Sequence, residues 1–194
     1  MSVFQLYLEL GIDHIMDIRG YDHILFILTL CAVYYFREWK RVLILITAFT
    51  IGHSTTLVLA TLNIVKISTG LIEFLIPLTI FITAFFNAIY KYERVGKRLH
   101  MMKYAAALFF GLIHGLGFSN YLRNLLGNES GIVKPLLAFN IGIELGQIIV
   151  VLVIMALTWL VVNVMHARRR EWNLLISGAG MGIALVLMIE RFPW

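Results

Sequence analysis

The sequence is poor in charged residues and has almost no cysteine. Only 14% of its 194 residues are charged, whereas 60% are hydrophobic; a soluble domain has about 25% charged residues. The single cysteine, Cys31, excludes an internal disulfide and a thiolate cluster for zinc or iron–sulfur. A chain of this composition is typical of a membrane protein and leaves no room for a separate soluble domain.

The hydrophobic residues fall into runs close to the length of a membrane-crossing helix, about 20 residues for about 30 Å of hydrocarbon. Because backbone amides cannot stay unpaired in lipid, such runs must be helical. We therefore predict an all-α, polytopic membrane bundle that forms one transmembrane domain over residues 1–194. The predicted spans are 20–36, 42–61, 69–90, 104–122, 135–164 and 173–190.

The basic residues predict how the chain is oriented in the membrane. Loops 37–41, 91–103 and 166–172 carry eleven of the sixteen Lys and Arg residues, and the positive-inside rule places these loops in the cytoplasm. Six spans then put both termini outside. The net charge of +5 is explained by these loops, so nucleic acid is not expected as a partner. The five basic residues on the predicted outer side are Arg19, Lys66, Arg123, Lys134 and Arg191.

Residues 1–19 precede the first span and have an amphipathic pattern. Polar residues recur every four positions (Gln5, Glu9, Asp13, Asp17), opposite an apolar face that includes Phe4, Leu8, Ile12 and Ile15. This pattern predicts a helix that lies at the outer interface. Its acidic face either raises the local concentration of cations or is simply solvated.

Several polar side chains fall inside the predicted spans, where an ionisable group costs about 2.5–3.5 kcal/mol. In the predicted topology they share the outer half of the bilayer, which favours a single site over independent packing residues. They are Asp22, His23, His53, Ser54, Glu73, His114, Asn140, Glu144 and Gln147. Two further histidines, His100 and His166, lie in predicted basic loops and are expected to be solvated.

Imidazole and carboxylate groups together suit a divalent first-row metal such as nickel, zinc or cobalt. The candidate metal ligands are His14, Asp22, His23, His53, His114 and Glu144. Glycine pairs flank two of them: Gly111 and Gly115 on either side of His114, and Gly142 and Gly146 on either side of Glu144. Such spacing lets helices approach closely and permits a homo-oligomer, whereas the pair Gly178 and Gly182 predicts ordinary helix packing.

Four segments resemble the HupE/UreJ hydrogenase and urease accessory membrane proteins, and most closely the second, shorter branch of that family. The segments are GIDHIMDIRGYDHILFILTL (11–30), FTIGHSTTL (49–57), FGLIHGLGF (110–118) and FNIGIELGQ (139–147). The resemblance implies a bacterial inner-membrane protein whose histidines bind nickel. His14, Asp22 and His23 match the family's first-helix pattern, and His53, His114 and Glu144 match its later polar positions. The sequence departs from the nickel permease branch at Ile15, which follows His14 where that branch has proline.

Three functions remain open from the sequence. The first is a permease or handling protein for a divalent metal, nickel or zinc, with the ion and the lipid bilayer as its partners. The second is an intramembrane zinc hydrolase acting on a lipid or peptide, in which Glu73 or Glu144 is the general base and Ser54 orients the water. The third is a scaffold whose polar cluster only joins helices.

Overall fold

The computed structural model describes residues 2–89, 97–126 and 131–193, and these ranges are helical without any strand. The predicted all-α bundle is thereby confirmed. The helices are α1 (Val3–Met16), α2 (Asp22–Cys31), α3 (Trp39–Thr61), α4 (Thr69–Ile89), α5 (Lys97–Leu126), α6 (Val133–Trp159) and α7 (Arg169–Glu190). A 3₁₀ turn (Phe36–Glu38) precedes α3, and a π-helical turn (Leu160–Val164) extends α6.

Helices α3 to α7 are long and apolar enough to cross a membrane. Four of them match predicted spans closely, but α5 begins at Lys97 instead of residue 104. Part of the predicted loop 91–103 is therefore helical, while its residues 91–96 lie outside the described ranges. The expectation that His100 is solvated is wrong, because it lies on α5 with 8% of its surface exposed. His166 is exposed, as predicted.

The predicted first span, 20–36, is not a single crossing helix. Its helical part, α2, has ten residues and measures about 15 Å, half the thickness of the hydrocarbon. The apolar run continues to Tyr35, but there the chain turns into α3. The Glu38 carboxylate accepts a hydrogen bond from the backbone N–H of Tyr35 (3.1 Å) and stabilises this turn.

Helix α1 does not lie alone at the interface as predicted, because it packs along α6 with its backbone in contact. A Cβ on Gly11 would lie 2.2 Å from the carbonyl oxygen of Phe139, and a Cβ on Gly142 would lie 2.2 Å from that of Leu8. The glycines thus allow a contact that an interfacial position could not provide. The polar positions Gln5, Glu9 and Asp13 are exposed, but the buried face is formed by Tyr7, Gly11 and Ile15, and Phe4 of the predicted apolar face is exposed.

Helices α1 and α2 run in the same direction. Gly142 contacts Leu8, and Gly146, one turn later, contacts Ile12, so α1 is parallel to α6. Helix α7 follows α6 after a short turn and runs antiparallel to it. Helix α7 is also antiparallel to α2, because Asp22 at the start of α2 pairs with Arg191 just beyond the end of α7. Helix α2 is therefore parallel to α6 and to α1. With fourteen and ten residues, α1 and α2 together measure about 36 Å, the length of one crossing. We therefore describe them as one discontinuous helix, interrupted at Asp17–Tyr21.

Helices α3 and α5 are joined backbone to backbone by glycines. A Cβ added to Gly111 or Gly115 would lie 2.1 Å from the carbonyl oxygen of Phe49 or His53, respectively. A Cβ on Gly52 would lie equally close, 2.1 Å, to the carbonyl of Leu108. This contact places the parallel helices side by side and makes His53 and His114 neighbours. By contrast, Gly178 and Gly182 have nothing within 4 Å, so the packing predicted for them is wrong.

Candidate metal centre

Four histidines from four helices come together where the first helix is interrupted. His14 lies near the end of α1 and His23 in the first turn of α2, while His53 and His114 come from α3 and α5. The ring centroids are 4.6 Å apart for His14 and His23, 5.4 Å for His23 and His114, and 5.9 Å for both His23–His53 and His14–His53. The sequence predicted all four as metal ligands.

Three of these histidines can share one ion. His14, His23 and His53 each offer a ring nitrogen, and these nitrogens lie within 4.8 Å of one another. Around tetrahedral zinc, with bonds of about 2.0–2.1 Å, neighbouring ligand atoms are about 3.3 Å apart. The three nitrogens therefore need to approach one another by at most about 1.5 Å to bind an ion. His114 stands beside this group, next to His23.

The ring nitrogens at this site are buried and unpaired. A buried nitrogen without a hydrogen-bond partner costs about 1–3 kcal/mol. Five such atoms occur on the four rings: Nε2 of His14, Nε2 of His23, Nδ1 and Nε2 of His53, and Nδ1 of His114. A metal ion would be a partner for one nitrogen of each ring, since a neutral imidazole has a single free lone pair, and the donor set therefore fits a divalent cation.

The hydroxyl of Thr79 determines which nitrogen of His114 is available. Thr79 donates its hydrogen to the carbonyl of Ile76 (2.7 Å), and its oxygen lies 3.1 Å from Nε2 of His114. Since the only hydroxyl hydrogen is used, Thr79 accepts from Nε2–H and leaves the lone pair on Nδ1. Nδ1 is the atom without a partner. This is the arrangement by which an outer hydrogen bond fixes the tautomer of a metal-binding imidazole.

The depth of the site differs from the predicted outer half. Thr79 is the eleventh of the twenty-one residues of α4, so His114 is level with the middle of that helix. The histidines therefore lie close to the centre of the bundle.

Aromatic rings surround the histidines and exclude water. The ring of Phe118 lies 4.0 Å from that of His14 and is stacked on Phe139 at 5.2 Å. On the other side, Phe26 and Phe49 lie 5.2 Å and 5.0 Å from His114. In such surroundings a bound cation interacts more strongly with its ligands than it would in water.

The predicted ligand Asp22 is next to the histidines but is paired with an arginine. Its Oδ2 accepts from Arg191 at 2.9 Å, whereas its Oδ1 is buried and unpaired. Asp22 precedes His23 in the chain and therefore lies beside the site.

The other predicted polar residues do not belong to the group of histidine nitrogens described above. Glu144 accepts a hydrogen bond from Thr47 (2.7 Å), and Gln147 accepts one from Thr50 (2.7 Å), so both join α6 to α3. Glu73 is exposed. Ser54 and Asn140 are half-buried, and Oδ1 of Asn140 has no partner.

Sequence reasoning missed Thr79 and Arg191. A lone threonine in an apolar run carries no signal, because threonine often bonds to its own helix, as Thr83 does to the carbonyl of Thr79. The partner of Arg191 could be found only by knowing that α7 ends beside α2.

Comparison with known proteins agrees with the resemblance seen in the sequence. The family described as HupE / UreJ protein matches residues 1–191. No curated protein and no solved structure matches the chain. The match covers nearly every residue, including all four histidines of the site. The chain therefore belongs to the HupE/UreJ family of membrane proteins.

Proposed function

We propose that this protein is a permease for a divalent transition-metal ion, of which nickel is the one favoured by the family. His14, His23, His53 and His114 bind the ion. The observation that carries the proposal is the meeting of three buried histidines and the half-buried His14, with unpaired nitrogens, at the interruption of a membrane helix. Imidazole nitrogen suits nickel and zinc alike, so the ligand set supports this class of metal without choosing within it.

The discontinuous first helix supports transport. Secondary transporters bind their ions near the midplane, at helices that break there. His14 and His23 stand on either side of such a break, and His114 is level with the middle of α4. A site at this depth can be reached from either surface after a modest movement of the surrounding helices, as transport requires.

A cavity on the inner side supplies the beginning of an exit route. Its volume is about 290 Å³, and it lies between α2, α4 and α5. Phe110 lines it, and Phe26 stands 6.2 Å from Phe110 and 5.2 Å from His114. The aromatic pair thus separates the histidines from the cavity. Thr83, Asn87 and Lys103 are among its lining residues, but most of the lining is apolar, so an ion that crosses it depends on water entering with it.

Acidic residues lie where a cation would approach. Asp13 and Asp17 are exposed on the last turn of α1 and at its end, beside the interruption. At the depth of the interruption, their negative charge attracts a cation toward the histidines. Whether the acidic face of α1 gathers cations at the outer surface or is simply solvated stays open.

The geometry gives less support to the two alternatives. A zinc hydrolase needs a general base near the metal, but Glu144 is bonded to Thr47 and Glu73 is exposed. A purely structural cluster would pair its buried polar atoms with one another, whereas five imidazole nitrogens stay unpaired here.

The test is metal flux into proteoliposomes that hold the purified protein and a fluorescent indicator. We expect saturable uptake of Ni²⁺ or Zn²⁺ by the wild type, and a loss of about tenfold or more in His53→Asn and His114→Asn, because each removes a ligand. His166→Asn is the matched control, since His166 is exposed and its φ of 57° is tolerated by asparagine.

Two outcomes would contradict the proposal. Tightly bound metal without any flux would exclude a permease and favour the hydrolase, to be tested on lipid and peptide substrates. Equal uptake by all three variants and the wild type would show that the histidines are not the site.

A further inference from the structure

A second polar cavity lies between the end of α3, the loop 62–68, the start of α4 and the outer half of α5. Its volume is about 320 Å³, within the range of small-molecule sites. Ile72 and Leu116 line its floor, and Leu116 is two residues from His114. Amide, hydroxyl and basic side chains line most of the remainder: Asn63, Lys66, Thr69, Ser119, Asn120 and Arg123.

The charge of this cavity is positive and uncompensated. Lys66 and Arg123 both line it, and in the part of the chain that the structure describes neither forms a salt bridge. Only five basic residues fall outside the cytoplasmic loops in the predicted topology, and two of them converge here. Two cations that face one cavity without a carboxylate repel each other, and an anion between them would relieve this repulsion.

Arg123 is held in place by neutral partners. Its guanidinium donates to Oδ1 of Asn63 and, at 2.8 Å, to Oδ1 of Asn120. Asn120 in turn donates to Thr69 (3.4 Å). These amides orient the guanidinium without neutralising it and use two of its five N–H donors. A planar group with free donors is suited to binding an oxyanion.

The rim of the cavity adjoins lipid. Leu62, Ile64 and Ile67 belong to the same loop and are 47%, 66% and 45% exposed. Exposed apolar side chains of a membrane protein are in contact with acyl chains, so the basic groups of this loop lie at the level of the headgroups.

From this arrangement we infer that the cavity binds a phosphate oxyanion, presented by the headgroup of an anionic phospholipid. Lys66 and Arg123 bind the phosphate oxygens, and Asn120 and Thr69 keep Arg123 in position. The inference is independent of metal transport, because neither cation contacts a histidine of the metal centre.

The test is binding of a short-chain phosphatidylglycerol to the full chain in neutral detergent, measured by isothermal titration calorimetry against phosphatidylcholine of equal length. Inorganic phosphate is titrated separately. We expect phosphatidylglycerol to bind and phosphatidylcholine not to bind. Lys66→Gln should weaken binding about tenfold by removing a charge-assisted hydrogen bond, and Lys66→Arg should restore it.

Lys134→Gln is the matched control, because it removes the same charge from an exposed residue on the same predicted side, outside the cavity. Lys66 is chosen over Arg123 since Arg123 also joins α5 to the loop. Inorganic phosphate that binds as tightly as the lipid would identify the free ion as the ligand of the same site. Equal weakening by Lys66→Gln and Lys134→Gln, or no preference for phosphatidylglycerol, would overturn the inference.

Discussion

The hydroxyl of Thr79 links the backbone of α4 to the chemistry of His114. By donating to Ile76 it can only accept from the imidazole, and the ring therefore keeps its lone pair on Nδ1, the nitrogen without a partner. Thr79 is a positioning residue, since it does not lie among the nitrogens that would touch the ion. Its effect on metal binding should come from the tautomer of His114 and not from the stability of α4.

We expect Thr79→Val to weaken Ni²⁺ binding about tenfold, because the isosteric valine cannot accept from Nε2–H and the tautomer is no longer fixed. Thr79→Ser keeps the acceptor and should bind as the wild type does. Titration calorimetry of the purified protein measures this difference.

Thr83→Val is the control for that experiment. Thr83 lies one turn further along α4, and its hydroxyl bonds to the carbonyl of Thr79 and not to a histidine. An equal loss of affinity in Thr83→Val and Thr79→Val would show that threonine in α4 matters for the helix alone.

The histidines of the site could be predicted from the sequence, and their partners could not. A histidine in an apolar run is conspicuous because burying it is costly. Thr79 and Phe118 are ordinary residues of membrane helices, so only the packing of α4 and α5 around His114 and His14 reveals their roles. Glu144 was conspicuous for the same reason as the histidines, yet its hydrogen bond to Thr47 directs it elsewhere.

At the scale of the helices, glycine decides which elements touch. Gly52, Gly111 and Gly115 allow α3 and α5 to meet backbone to backbone, and Gly11 and Gly142 do the same for α1 and α6. The sequence predicts that such glycines pack, but not against which helix. For that reason α1 was expected at the interface, with an apolar face shifted from the one that packs on α6. The interruption at Asp17–Tyr21 was likewise hidden, because the apolar run after it has the length of a complete span.

We expect Gly111→Ala to destabilise the protein by about 1–3 kcal/mol, as overpacking does. The new methyl would lie 2.1 Å from a backbone oxygen, which cannot rotate away, so α3 and α5 must separate. Thermal unfolding in detergent, followed by circular dichroism, measures the loss.

The matched substitution is Gly178→Ala, which meets nothing within 4 Å. Alanine is the better helix former by about 0.8–1 kcal/mol, and this variant should be as stable as the wild type or more so. If Gly111→Ala unfolds at the wild-type temperature, the contact between α3 and α5 is looser than the structure shows.

At the scale of the whole molecule, counting the discontinuous helix as one crossing beside the five long helices of the described residues keeps the predicted number of six. The predicted orientation with both termini outside then still follows from the basic loops. The parallel alignment of α1 with α6 agrees with it, since α1 must then begin on the side where α6 begins. The orientation itself rests on the asymmetry of Lys and Arg and stays a prediction. The open glycines of α7 leave room for a homo-oligomer, which also stays a prediction.

The orientation can be tested with single cysteines, one on the predicted outer side of the membrane and one on the predicted inner side. In a Cys31→Ala background, Ser2→Cys should react with a membrane-impermeant maleimide added to intact cells. Ala167→Cys, in the turn between α6 and α7, should react only after the membrane is permeabilised. The reverse pattern would invert the topology, and reaction of both in intact cells would rule out an odd number of crossings between them, including the five that are predicted.

The close pairing of α3 and α5 has a consequence for how an ion could leave. His53 and His114 belong to α3 and α5, which are in backbone contact at three glycines, so the two histidines must move together as parts of one rigid unit. His14 belongs to α1, which Gly11 and Gly142 hold against α6 in the same way, whereas His23 belongs to α2, which is joined to α1 only by Asp17–Tyr21. An ion held by all four would thus be released stepwise, with His23 leaving first and the fixed pair of imidazoles keeping hold until water or the inner cavity takes over.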